Sequence, residues 1–274
     1  MEKLCARYLN EYAVGKKSAA GDRWMIDHYV LPAIGTKTAT AIRFADVQKL
    51  HRSMAVTPYQ ANRVLSLLST IFNLAEKWEI RPRGTNPCEG VKRFAEKKRV
   101  RFLTDDEIRR LVLRLEIAFA ELPIQAGMLL MLLYTGARYG EMAAARWDQV
   151  SGSELHLPDS KTGQKVVFLT PQAMNVLARM PRYGDFIFGE ATLRYLWANI
   201  LEEAKLKNLR IHDLRHCFAS VGISAGESLA RVGGLLGHSN PKQTAVYAHL
   251  VPSEGRAAAQ AIGARFDRIQ NASA

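Results

Sequence analysis

Cysteine is scarce: Cys5, Cys88 and Cys217 are the three in 274 residues. They form no CxxC pair and no zinc-binding set, which excludes a disulfide framework and a structural zinc module. A sparse, odd count suits a reducing compartment. Long apolar runs are missing too. The longest, Met128 to Leu133, is far too short to span a bilayer. Met1-Glu2-Lys3-Leu4 leads into a charged helical pattern and not into a signal peptide. A soluble, intracellular protein with no membrane partner is expected. No internal repeat is visible, which argues against a solenoid. Acidic residues are also in short supply, with 26 Asp+Glu against 38 Lys+Arg and a net charge of +12. The excess sits at the front: residues 1–100 hold 18 basic against 9 acidic residues, and the remainder 20 against 17. Such a front third suits a polyanion, whether nucleic acid, a membrane surface or an acidic protein.

The apolar fraction, 48%, is that of an ordinary globular chain. Its periodicity predicts two largely helical domains, a mainly α fold with one small β-hairpin or sheet. In the first block, residues 1–91, Leu4, Tyr8, Leu9 and Tyr12 recur at helical spacing. Ser18 caps a second helix with Trp24, Ile26 and Tyr29 inward and Pro32 as its stop. Phe44, Val47 and Leu50 mark a third. Thr57-Pro58 opens the strongest, with a stripe from Val64 to Trp78. The run Arg81-Pro82-Arg83-Gly84-Thr85-Asn86-Pro87 breaks the pattern. Residues 92–102, rich in Lys and Arg, read as a basic linker. The second domain, 103–274, opens with a Thr104–Glu107 capping box. A nearly all-apolar helix follows, from about Pro123 to Tyr134, and Gly136 ends it. A shorter helix covers Glu141 to Trp147. Leu155-His156-Leu157 and Val166 to Leu169 are strands flanking a turn at Asp159 to Gly163. Helices then return over 171–180, 192–204, 212–221, 227–236, 242–249 and 253–269.

Four stretches carry residues suited to phosphate chemistry. Arg138 follows the turn that ends the apolar helix, where its planar fork can bind two oxygens of one phosphate or simply pair with Glu141. Lys161 sits at the hairpin tip, facing solvent or reaching into a groove. His212 and Arg215 are three apart and share a helix face, presenting an imidazole beside a guanidinium. His216 lies four after His212, the spacing of a metal pair. The glutamate of HExxH and a third ligand are absent, so no metal is expected. His238 precedes a turn, and Tyr247 follows it by nine residues. A phenol titrates near pH 10 and is a weak nucleophile unless cations and a base attend it. Two arginines, a lysine, two histidines and a tyrosine are an inventory for attacking a phosphodiester without metal. Arginines stabilise charge on the non-bridging oxygens, a histidine takes the phenolic proton, and a lysine protonates the leaving 5′-oxygen.

In their order these motifs resemble the tyrosine recombinase, or phage integrase, family. Thr135-Gly136-Ala137-Arg138-Tyr139-Gly140-Glu141 is similar to its first arginine box and Ser160-Lys161-Thr162-Gly163 to its hairpin lysine motif. His212-Asp213-Leu214-Arg215-His216 matches its HxxR box, and Leu236-Gly237-His238-Ser239 its LGHS box. Tyr247, in a Thr-x-x-Tyr-x-His setting, takes the nucleophile's place. Cys217 stands where many relatives have threonine and is read as a small buried residue. The resemblance is strong from about Arg99 to Leu250 and weaker over residues 1–91, which are similar in layout to the family's core-binding domain.

The resemblance implies a DNA-breaking and rejoining enzyme. Its catalytic residues would be Arg138, Lys161, His212, Arg215, His238 and Tyr247, with no cofactor and no catalytic metal. Two domains clamp duplex DNA at a recombination site. Four protomers assemble on two sites, from a monomer without DNA, and each Tyr247 forms a 3′-phosphotyrosyl bond. A directionality factor is a further partner such a reaction can have. The setting is the cytoplasm of a prokaryote, and the role expected is integration or excision of a prophage or mobile element. The alternatives are resolution of chromosome dimers and relaxation of DNA in the manner of type IB topoisomerases. Many integrases carry a further small arm-binding domain at the amino terminus. Here the core-binding pattern starts almost at once, so either that domain is lacking or the sequence begins after it. An amphipathic helix over Ser253 to Ile269 either docks on a neighbouring protomer or packs on its own domain.

Overall fold

A computed structural model describes residues 1–96, 101–160, 163–189, 191–238, 240–250 and 263–264. The chain falls into two units, Met1–Lys98 and Arg99–Ala274. The expected helix over residues 253–269, Lys161 and residues 97–100 of the expected linker lie outside the described residues, apart from 263–264.

The first unit is helical. Helix α1 (Glu2–Arg7) widens into a π-helical turn, Tyr8–Tyr12. Helix α2 (Ala19–Met25) does the same over Ile26–Val30 and runs on into α3 (Leu31–Ile34). Pro32 therefore does not stop the helix, contrary to expectation. It enters in the first turn of α3, where its missing N–H is tolerated, and the wider turn before it absorbs the mismatch. Trp24 and Phe44, expected inward, are exposed. Trp24 instead stacks on His28. Helix α4 (Phe44–Ser53) packs on α5 (Pro58–Lys77), which buries Val64, Leu67, Leu68, Ile71 and Phe72 along the predicted stripe. Each such side chain stabilises the unit by about 1.5–3 kcal/mol. Pro58 takes the first helical turn as read, but the Thr57 hydroxyl donates back to Met54 O and does not cap the helix.

Asn62, buried on α5, is a hub. Its Oδ1 accepts from the Phe94 backbone amide at 3.0 Å and lies 3.0 Å from His51 Nε2. Its Nδ2 donates to Phe94 O at 2.9 Å and Glu96 Oε1 at 2.8 Å. The Phe94 ring stacks on His51 at 4.3 Å. The segment read as a linker from residue 92 is thus tied to the first unit at Phe94 and Glu96.

In the second unit Thr104 caps α6 (Asp105–Phe119), with the reciprocal Glu107 bond in place. Helix α7 (Pro123–Thr135) is buried on nearly every side, the central rod of the core. Gly136 ends it in the left-handed region, φ 64°. Helix α8 (Tyr139–Ala143) begins sooner and is shorter than expected, and Trp147 opens a separate 3-10 turn. Strands β1 (Val150–Ser151), β2 (Glu154–Ser160) and β3 (Gly163–Phe168) form an antiparallel sheet in that order. Alternation turns Leu155, Leu157, Lys165 and Val167 to one face, so a lysine enters the interior beside three apolar residues. Helices α9 (Pro171–Arg179), α10 (Arg194–Glu203), α11 (Asp213–Ser224) and α12 (Leu229–Leu236) follow. The predicted helix at 242–249 is instead two 3-10 segments, Pro241–Gln243 and Ala245–Leu250.

Replacing Asn62 by Ala strips partners from His51 and from both polar groups of Phe94. The expected loss is about 1–3 kcal/mol in urea unfolding, with hydrogen exchange at the Phe94 amide accelerated at least about tenfold. Unchanged protection at Phe94 would show that the ring stack alone holds the segment.

Candidate active site

The site is assembled from helix ends. Arg215 lies in the first turn of α11 and is 4% exposed, a buried guanidinium. It donates to Gly136 O at 2.7 Å and to Leu236 O at 2.6 Å. These carbonyls stand at the carboxyl ends of α7 and α12, where the helix dipoles are negative. One cation therefore joins the ends of two helices. Burial, with Arg138 adding to it, pushes the Arg215 guanidinium down to about 10, against the pull of Glu141 and Tyr247. It still carries its charge at neutral pH.

Arg138 stands at the amino end of α8 and pairs with Glu141 at 2.6 Å, so the simple pairing read from the sequence is present. Glu141 also accepts from the Arg138 backbone amide at 2.9 Å and from Lys165 at 2.8 Å. Burial pushes the Glu141 carboxyl up, but these three contacts outweigh it and hold it below the usual carboxylate range. Burial holds the Lys165 ammonium below the usual lysine range, against Glu141 and with Arg215 and Arg138 assisting. One carboxylate thus serves a lysine and an arginine.

His212 precedes α11, and its basicity falls through burial and then through Arg215 and Arg138, against Asp213. Asp213 accepts from the Arg210 backbone amide at 2.8 Å, which fixes the turn into the helix. A cleft of about 170 Å³ opens beside Arg215 and His212, lined also by Leu132, Ala137, Tyr139 and Ile211. His238 follows α12, with its Nδ1 2.8 Å from the Thr244 hydroxyl. Burial drives it down to about 4, and the charges of Arg215, Arg138 and Lys165 push the same way.

Tyr247 is 1% exposed, packed with Ala219, Ile223, Val232 and Leu236. Its hydroxyl meets His216 Nδ1 at 2.6 Å. Burial pushes the phenol up to about 12, opposed by Arg215. Five of the six residues singled out in the sequence therefore converge: Arg138, His212, Arg215, His238 and Tyr247. The sixth, Lys161, lies outside the described residues. Two participants were missed as such. Lys165 pairs with Leu157 across the sheet and alternates with Val167 along β3, which turns it to the interior. The sequence offers His216 only as a metal partner of His212. Among the described residues no His, Cys, Asp and Glu cluster could hold a metal ion. Cys217 is buried and its thiol is pushed up to about 12, as a small packing residue would be.

The family model for phage integrases matches residues 101–254, a stretch that includes every one of these positions. The chain belongs to the phage integrase family. It is 29% identical to the integrase of Escherichia phage P2 over 206 residues, 73% of this chain and 58% of that protein. To the ICEBs1 integrase of Bacillus subtilis (strain 168) it is 24% identical over 266 residues, 77% of this chain and 70% of that one. The chain thus spans little more than half the length of the phage P2 relative. Among solved structures, a lambda integrase (75-356) dimer bound to a COC' core site superposes with TM-score 0.75 at 17% identity, covering 90% of this chain and 94% of that one. The Tn1549 transposon integrase in complex with transposon right end DNA gives 0.73 at 14%, covering 96% and 98%. These two likenesses bear on the fold, which they share: a mainly α chain carrying one small sheet. No helix among the described residues is long and apolar enough to cross a membrane.

The depressed histidine has a consequence for stability. His238 titrates near 4 in the folded chain against an ordinary 6.5. Between those values the unfolded chain binds a proton that the native state refuses, so stability falls as pH drops from about 6.5 to about 4. The difference between wild type and His238→Asn, followed by urea unfolding across that window, should therefore shrink toward acid pH. A difference that stays constant would mean that His238 titrates normally.

Proposed function

We propose that the chain cuts and rejoins duplex DNA at specific sites through a 3′-phosphotyrosyl link at Tyr247. The observation that carries this reading is the gathering of Arg138, Arg215, His212 and His238 at the ends of α7, α11 and α12, with a phenol close enough to Arg215 to feel its charge. A scissile phosphate placed there receives the two guanidiniums on its non-bridging oxygens, where charge grows in the transition state. Tyr247 Oη bonds to phosphorus as its proton passes to a histidine of the site, the bond to O5′ breaks, and O5′ leaves as a hydroxyl with a proton from Lys161. The ester stays activated on the enzyme. A 5′-hydroxyl from a partner duplex then attacks it and restores the phenol, so no external energy source is consumed.

The first unit and its basic edge supply backbone contacts to the duplex, which give affinity that falls with salt and little sequence information. The site itself is read by base contacts and by DNA bending. A lambda integrase structure is a tetramer bound to a Holliday junction. By analogy four copies of this chain assemble on two sites, in the cytoplasm of a prokaryotic cell. The relatives named as phage and ICEBs1 integrases favour integration or excision of a mobile element over dimer resolution. A directionality factor would then bias the outcome.

The test uses a nicked suicide substrate built from the direct repeats that flank the gene. Wild type should form a protein–DNA adduct that survives denaturation. Tyr247→Phe should bind the same DNA with similar affinity and form no adduct, a loss of at least about 10⁴-fold. An adduct that persists in Tyr247→Phe assigns the nucleophile elsewhere. Strand exchange between two sites, and not relaxation of a supercoiled circle alone, separates recombination from topoisomerase action.

A further inference from the structure

The 2.6 Å contact between Tyr247 Oη and His216 Nδ1 is not explained by the residues to which the reaction has been assigned. His216 sits on α11 directly after Arg215 and one turn after His212, whose ring meets its own edge-on at 5.6 Å. The Tyr247 ring is walled in by the apolar side chains around it and by Phe102 at 6.0 Å. The hydroxyl is therefore presented to the imidazole by packing from several sides, and not by a swinging surface side chain.

The protons in this pair can be placed. Burial raises the phenol to about 12, so at neutral pH its O–H is intact and donates. His216 is made less basic by burial and by His212, with Arg215 adding and Asp213 opposing. It is a neutral imidazole at neutral pH, with Nδ1 as the acceptor and the proton on Nε2. The titratable and charged groups around it are His212, Asp213 and Arg215 on its own helix, Tyr247 on the segment after α12, and His238 at that helix's end.

We propose that His216 is the catalytic proton acceptor for Tyr247. This rests on the reading of Tyr247 as the nucleophile. As Oη bonds to phosphorus, its proton passes to His216 Nδ1 and the imidazole becomes an imidazolium. O5′ departs with a proton from a different group. On religation the imidazolium returns its proton to Oη as the phosphotyrosyl bond breaks, so the enzyme ends as it began. The phenol is far less acidic than the imidazolium, so a preformed phenolate is rare and the transfer accompanies bond formation. The growing positive charge on His216 beside Arg215 is offset by the negative charge that gathers at the phosphate between the guanidiniums.

The experiment measures single-turnover adduct formation against pH for wild type, His216→Asn and His216→Gln. Asn can place an oxygen near the Nδ1 position, so it keeps a hydrogen bond to the phenol without being a base. Thermal melting and DNA affinity establish that each variant is folded. Wild type should lose rate only on the acid side of the ordinary histidine range, because burial and His212 lower the pH at which His216 gains a proton. The variants should be about 10²–10⁴-fold slower near neutrality, with that acid limb much reduced. A substrate whose 5′-bridging oxygen is sulfur, which leaves without a proton, should not rescue them. Wild-type rates in His216→Asn would overturn the assignment, because hydrogen bonding alone would suffice. Rescue by bridging sulfur would move His216 to the leaving group. Faster cleavage in either variant would make the contact a restraint on the phenol and not a base. Each of these outcomes leaves the nucleophile intact, since that reading stands or falls with the Tyr247→Phe adduct.

Discussion

The arrangement of the second unit turns on one buried cation. A guanidinium withdrawn from water costs several kcal/mol unless its donors are met and its charge is opposed. Arg215 achieves this with backbone and not with a carboxylate: Gly136 O and Leu236 O face it from the ends of two helices. The choice of partner matters chemically. A carboxylate bound directly to Arg215 would neutralise the charge that the proposed phosphate contact uses. Two carbonyl dipoles steady the group and leave its net charge in place. The geometry demands that α7 and α12 stop where they do. Gly136 is held at positive φ, and a Cβ there would meet Phe218 at 2.6 Å and Leu236 at 2.8 Å. The glycine ending α7 is therefore required both by its backbone angle and by the closeness of the neighbouring helices.

The same economy of negative charge governs the rest of the cavity. Glu141 lies against both Arg138 and Lys165, and it accepts the Arg138 amide as well. A buried lysine with no anion would lose its proton or loosen the sheet. Glu141 alone holds both Arg138 and Lys165, so two cations share one carboxylate. His212, His216 and His238 are pushed toward their neutral forms by burial, with Arg215 adding in each case, so they enter the site as proton acceptors or hydrogen-bond partners. DNA phosphate would reverse part of that pressure, since an anion among them favours their charged forms.

Much of this was legible before any coordinates. The apolar run of α7, the glycine after it and the Thr104–Glu107 box each have a local signature, and each holds in the structure. Other elements went differently for identifiable reasons. Pro32 was read as a stop because its missing N–H breaks an α-helical ladder, and a π-helical turn removes that conflict. Residues 242–249 have an amphipathic pattern that suits a helix. Pro241 and the small Thr244 contact at Gly233, where a Cβ would come within 2.8 Å of the hydroxyl, leave the segment as single turns. Lys165 and His216 carry no spacing signal that separates them from an ordinary strand lysine and a metal-pair histidine. Their roles arise from what faces them across the fold, Glu141 in one case and Tyr247 in the other. Local chemistry predicts where a side chain sits on its own element, and tertiary packing decides what it touches.

The placement of Tyr247 follows from this distinction. Its segment has little regular hydrogen bonding of its own, with the Tyr247 amide donating to Thr244 O at 3.0 Å and the Thr244 amide to Pro241 O at 3.0 Å. Short 3-10 turns of this kind contribute little rigidity. What holds the segment is the tyrosine: its ring fills an apolar niche on α11 and α12, and its oxygen reaches His216. The group proposed to attack DNA is therefore also the anchor of the peptide that carries it. Few backbone bonds tie the segment down, so its position rests on side-chain contacts: the Tyr247 ring and hydroxyl, and the Thr244 hydroxyl against His238. That combination suits a nucleophile that must join itself covalently to DNA, tolerate the strain of a bound strand, and be released unchanged.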